Sequence, residues 1–128
     1  MSLIAILSSF GMNSYLNSQK RARDAERQSD LYQYKVALEN YASVINGNYP
    51  EASGVASTVL ATPLANYMTG FPTDPKGNTY YYSGDASKWV LQSCLESGTG
   101  TQGYQVCSDG RSGNGGTCGS QADTTCDL

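Results

Sequence analysis

The sequence predicts an α+β domain, in which a long N-terminal helix packs on a small antiparallel β-sheet and a disulfide-tied loop closes the C-terminus. Three observations carry that expectation. Residues 14–46 contain neither Pro nor Gly and are rich in strong helix formers. Three short segments of aromatic and β-branched character follow, separated by Gly-, Asp- and Pro-containing turns. All four cysteines, Cys94, Cys107, Cys118 and Cys126, fall in the last third. At 128 residues the chain is one domain long. It divides into a helix over 1–46, a connecting loop region over 47–77, an antiparallel meander over 78–108 and a tied tail over 109–128.

The helix changes character along its length. Its first dozen residues are apolar, but a bilayer span needs about 20, and polar residues begin by Asn13. No basic n-region marks a signal peptide. These residues alone fit either the start of an amphipathic helix or the end of a longer membrane helix. Lys20 to Gln28 carries no apolar stripe and is expected to project into solvent or against other subunits. Leu31, Tyr34, Leu38, Tyr41 and Ile45 then recur at alternating spacings of 3 and 4, which is a core-facing stripe. Val36, Ala37 and Val44 flank it. The heptads are too few for a coiled coil.

Gly47 and Pro50 stop the helix, and a short helix is expected around Pro63–Met68. Pro72–Pro75 and Lys76–Asn78 read as turns. Strands are expected at Asn78–Ser83, 88–96 and 103–108. In the first, Tyr80 and Tyr82 share one face and Tyr81 takes the other; packing between helix and sheet is expected there, and for Trp89. The tail from Asp109 to Leu128 is rich in Gly, Ser, Thr, Asn and Asp.

Histidine is absent, which removes the commonest general base and transition-metal ligand. A net charge of −3 without a basic tract gives no support to DNA binding. Carboxylates Asp24, Glu26, Glu39, Glu51, Asp74, Asp85 and Glu96 are scattered, and no nucleophile elbow or phosphate loop is present, so no catalytic residue is assigned and an enzyme is not expected. Asp24 and Glu26 beside Arg21, Arg23 and Arg27 read as helix-surface ion pairs or intersubunit contacts. Four cysteines in a small, loop-rich region imply two disulfides in an oxidising compartment. A hairpin centred between Gly100 and Thr101 would place Cys94 opposite Cys107, leaving Cys118 to pair with Cys126.

Several stretches resemble a known family. Tyr15 to Ala25, Ala37 to Tyr41, Asn46 to Pro50, and Phe71 to Asn78 followed by tyrosines are similar, in this order and spacing, to type IV pilins and the major pseudopilins of type II secretion. The likeness covers residues 3 to about 109. It implies a pilin-like fold and a filament subunit whose apolar helix sits first in the cytoplasmic membrane and then in a helical bundle. Its partners would be other pilin or pseudopilin subunits and an inner-membrane assembly platform. It also implies a loosened helix near Ser8–Gly11 and Asn13. The family carries a glutamate near the start of its mature helix, where this chain has Ala5. Alignment on Tyr15 implies that about nine residues of that helix are missing, so the chain as it stands is expected to be N-terminally truncated and neither to insert stably nor to assemble.

The tail resembles the pseudopilin loop that binds calcium, with Asp109 and Asp123 as matching positions and Asn114 or Ser112 assisting through hard oxygen ligands. A disulfide is the alternative staple for such a loop. The expected function is the structural subunit of a type IV pilus acting in adhesion, motility or DNA uptake, located in an extracellular filament or the periplasm. The alternatives are a major pseudopilin of a periplasmic pseudopilus and a secreted binding module.

Overall fold

The computed structural model describes residues 2–97, 99–119 and 124–128, and for residues 2–5 and 7–10 the backbone alone. Helix α1 runs over Ser2–Val44. It is unbroken through Ser8–Gly11 and Asn13, where the family resemblance leads one to expect loosening. Those residues cost only fractions of a kcal/mol each in helix propensity, up to about 1 for Gly, too little to interrupt the ladder. At its end the Gly47 amide donates to the Ala42 carbonyl at 2.8 Å. Asn46 and Gly47 take φ values of 55° and 82°, the left-handed cap that reverses the chain.

Five antiparallel strands follow in sequential order: β1 Ala52–Val55, β2 Tyr81–Gly84, β3 Trp89–Cys94, β4 Gln102–Cys107 and β5 Ser112–Thr117. The outer two extend the expected meander, β1 from the connecting region and β5 from the tail. Helix α2 occupies Ala56–Val59, and the helix expected at Pro63–Met68 is instead a series of turns. Pro63 has no N–H to return to the Val59 carbonyl, and beyond it separate bonds from Leu64 to Leu60 and from Tyr67 and Met68 to Leu64 hold the turns without a continuous ladder.

The core lies between α1 and one sheet face. Leu31, Tyr34, Ala37 and Leu38 meet Tyr80, Tyr82, Trp89, Leu91 and Val106, and Ala56, Leu60 and Leu64 close the side. Tyr41 packs at its margin. Ile45 is 40% exposed, a correction to the expected stripe, because the helix ends at Val44 and position 45 leaves its face. Val36 and Val44 are exposed, whereas Ala37 and Ala42 are buried.

The opposite sheet face is covered too, since Trp89 through Ser93 are all buried. Cys126 packs on Val90 and Cys107, and the Asp127 amide donates to Gln105 Oε1 at 3.1 Å. Gln92 Nε2 donates to the Thr117 carbonyl at 2.8 Å. The C-terminal segment therefore lies on the sheet, and glycine permits the contact: a Cβ at Gly115 would stand 2.1 Å from the Asp127 carbonyl oxygen.

The disulfides are Cys94–Cys118 and Cys107–Cys126, with Cα separations of 5.1 and 6.1 Å. The pairing expected from hairpin symmetry is thus corrected. The β3–β4 register sets Gly103 opposite Cys94 and Val90 opposite Cys107, so those two cysteines are out of step. Meanwhile Thr117 faces Gln102 and the Cys118 amide donates to the Thr101 carbonyl, which delivers Cys118 to Cys94.

Candidate functional site

The buried stripe of α1 does not end where its apolar residues end. Continued toward the N-terminus at the same spacing of 3 and 4, it reaches Arg27 and Asp24, with Asp30 alongside; all are buried, Arg27 completely. This corrects the outward projection expected within residues 20–28 at Asp24 and Arg27, and their reading as surface ion pairs. Lys20, Arg21 and Glu26 remain exposed.

Around Arg27 the three carboxylates Asp24, Asp74 and Glu96 converge. Its guanidinium donates to Asp74 through Nε and, at 3.1 Å, through Nη2. It also donates to Asp24 Oδ1 at 2.7 Å and Glu96 Oε1 at 2.7 Å. Arg23 forks onto Glu96 at 2.9 and 2.7 Å, and Lys76 Nζ stands 3.5 Å from it. The remaining lone pairs are used by backbone. Asp24 accepts from the Glu96 and Ser97 amides at 2.9 and 2.8 Å, and Asp74 from the Lys76 and Asn78 amides at 2.7 and 3.3 Å. Phe71 to Asn78 is therefore a clasp on the helix, extended by the Tyr34 hydroxyl donating to the Pro72 carbonyl at 3.0 Å. One helix turn along, the Tyr80 hydroxyl donates to Asp30 at 2.7 Å.

The electrostatics follow from this geometry. Burial by itself would lower the Arg27 pKa, but hydrogen bonds to Asp74, Glu96 and Asp24 outweigh it and leave it raised. Burial likewise works to raise Asp24 and Asp74. Asp24 is nevertheless lowered by the Glu96 and Ser97 amides and Arg27, and Asp74 by Arg27 and the Lys76 and Asn78 amides. Glu96 is driven well below the carboxylate range, chiefly by Arg23 and then, against burial, by Arg27. Carboxylates held ionised with their lone pairs occupied make poor proton donors or acceptors. The chemistry this arrangement suits is fixation of helix, turn and hairpin to one another. Glu39 and Asp85 serve elsewhere, receiving the Tyr49 hydroxyl and the Ser87 and Lys88 amides respectively.

Beyond the clasp, α1 leaves the sheet. Residues 11–22 are all exposed, among them Met12 at 71%, Tyr15 at 64% and Leu16 at 53%, and Ile6 is exposed as well. From Ser2 to Arg23 this arm is about 30 Å long. Among the described residues no helix is long and apolar enough to cross a membrane.

The expected calcium ligands do not form a cage among the described residues. Asp109 lies in the β4–β5 turn, where it accepts from the Arg111 amide at 3.0 Å and from Arg111 Nε at 2.6 Å, so a cation already holds it. Asn114 is exposed on β5 opposite Tyr104, and Ser112 begins that strand. Asp123 lies outside the described residues. Cys107, Asp109 and Cys126 bring their ligand atoms within 4.8 Å of one another, but the two sulfurs are bonded to each other and offer no thiolate. The expected aromatic face is in place: Tyr80 and Tyr82 are core residues, as is Trp89, and Tyr81 is half-buried.

Arg27 was the residue that sequence reading missed, and the signal for it was the spacing of the stripe rather than its hydropathy. No family model, curated protein or solved structure matches the chain. A long helix packed on an antiparallel sheet, with two disulfides, is compatible with a pilin-like fold.

Proposed function

We propose that the chain is a structural subunit of an extracellular type IV pilus filament, without catalytic activity. The observation that carries this reading is a single helix with two fates. Its C-terminal half is locked to the sheet by the core and the Arg27 clasp. Its N-terminal half presents Ile6, Met12, Tyr15 and Leu16 as exposed side chains, 53–71% accessible. A rigidly held apolar rod suits packing among copies, and head-to-tail contacts of that kind generate open helical assemblies. The two disulfides suit an oxidising compartment.

A major pseudopilin of a periplasmic pseudopilus is the second reading, favoured by the Phe71–Asn78 turn and its grip on the helix. Antibodies raised against this domain, used for immunogold labelling of the source cells, separate the readings. Label along continuous surface fibres is expected. Label confined to the periplasm favours the pseudopilus, and label only in the medium, on no filament, leaves a secreted binding module.

A further inference from the structure

The helix face that carries Asp24 and Arg27 continues one turn beyond the sheet as Asn17, Lys20 and Arg21. With Glu96 and Ser97 of the β3–β4 corner they line an open cleft of about 250 Å³. Within it, charge is unbalanced. Glu96 is already neutralised by Arg23, Arg27 and Lys76, and Asp24 and Asp74 are taken by Arg27. Lys20 and Arg21 form no ion pair among the described residues. They give the base of the arm a net positive charge in a chain whose total is −3.

We infer that this cleft binds the phosphate of an anionic lipid headgroup while the arm rests in the adjoining leaflet. Position selects the lipid as the source of the phosphate. Leu16 is the last apolar residue before the cleft, and Lys20 and Arg21 follow it by four and five positions, about 6–7.5 Å along the axis. The polar headgroup layer on each side of a bilayer is roughly 5–8 Å deep. With Leu16 at the hydrocarbon boundary, the two cations stand at phosphate depth, and Tyr15 at the boundary takes the place favoured by amphipathic aromatic rings. Asn17 and Ser97 add hydrogen-bonding groups to the same cleft, and the arm from Leu3 to Leu16, about 21 Å long, is long enough to reach through one leaflet.

Co-sedimentation of the oxidised chain with phosphatidylcholine vesicles, and with vesicles containing a third phosphatidylglycerol, tests this. The wild type is expected to prefer the anionic vesicles. Lys20→Gln/Arg21→Gln is expected to bind them about thirtyfold more weakly, about fivefold per cation, with no change on phosphatidylcholine. The charge-matched control Lys35→Gln/Lys88→Gln should stay within about twofold of wild type. Equal loss in both double variants, or no preference in the wild type, overturns the proposal. Release by millimolar inorganic phosphate, beyond chloride of equal ionic strength, also overturns it and makes the cleft a free-anion site. A Lys20/Arg21 effect seen only on self-association in sedimentation velocity overturns it in favour of a second copy. Vesicle binding is read on the isolated chain, so it stands or falls separately from the filament reading.

Discussion

Arg27 of the helix and Asp74 of the Pro72–Asn78 turn meet through two hydrogen bonds, with both side chains completely shielded from solvent. Nothing in the chain's local chemistry requires a guanidinium at that depth. It is tolerable there because three carboxylates surround it, the other lone pairs of Asp24 and Asp74 being filled by backbone amides and those of Glu96 by Arg23. Removing one partner of a buried pair costs about 3–5 kcal/mol. Arg27→Ala leaves Asp74 and Asp24 buried without their cation, so it is expected to lower the melting midpoint on the order of 10–20 °C. Asp74→Asn, which keeps the shape and leaves Asp24 and Glu96 on the arginine, is expected to cost less. Melting followed by circular dichroism checks the order; an Arg27→Ala midpoint within a few degrees of wild type would show that the clasp contributes little.

The same cluster sets an acid limit. Asp24, Asp74 and Glu96 have folded-state pKa values below their ordinary 3.8, 3.8 and 4.5. The stability they confer is therefore complete above those ordinary values and lost as pH falls through them toward the folded values. Urea midpoints should be level from about pH 8 to pH 5 and decline below about pH 4.5, and Glu96→Gln should flatten the decline.

At the alkaline end the sign reverses. Burial raises Tyr34, Tyr80 and Tyr82 above 10.0, with the Asp30 charge adding to the first two. Their contribution is complete below pH 10 and lost as pH rises beyond it. Phenolate absorbance should show these three ionising only together with loss of the circular-dichroism signal. Smooth titration of all ten tyrosines with the fold intact would contradict their burial.

For the cross-links, digestion of the oxidised protein with trypsin, chymotrypsin and Asp-N should release Cys94 joined to Cys118 and Cys107 joined to Cys126. Recovery of Cys94 with Cys107 would reject the register. The bridges close separations of 24 and 19 residues, each worth about 3 kcal/mol on the chain-entropy model. Reduction should therefore lower the midpoint sharply. Calcium and chelator should give superimposable melts, because Arg111 already occupies Asp109.

Glycines differ in what they permit. Gly115→Ala is expected to destabilise by about 1–3 kcal/mol, since its Cβ would strike the Asp127 carbonyl. At Gly11 nothing lies within 4 Å, and Gly11→Ala should raise arm helicity instead. Equal effects of the two in circular-dichroism melts would mean the tail does not lie on β5.

What could be read in the sequence was whatever announces itself by hydropathy. Leu31, Tyr34 and Leu38 repeat as apolar residues and were legible as core; Arg27 and Asp24 keep the same spacing but are charged, and hydropathy directs them outward. Tyr80, Tyr82 and Trp89 were legible as strand cores for the same reason. Strand β5, Ser112–Thr117, holds three glycines and has little β-propensity of its own. It becomes a strand because Cys118 is fixed to Cys94 and the C-terminal segment lies across it. The pairing of the cysteines depended on a turn geometry that spacing alone leaves open.

The two disulfide loops interleave, and this has a mechanical meaning. Suppose tension is applied between the arm and the C-terminus. The helix and the strands up to Cys94 can be drawn out, but at Cys94 the load passes directly through the cross-link to Cys118. The 24 residue steps between them, roughly 80 Å of contour, stay slack. Strands β4 and β5 carry no force, and the domain's extensible length is set by the helix, by β1 to β3 and by the chain beyond Cys118.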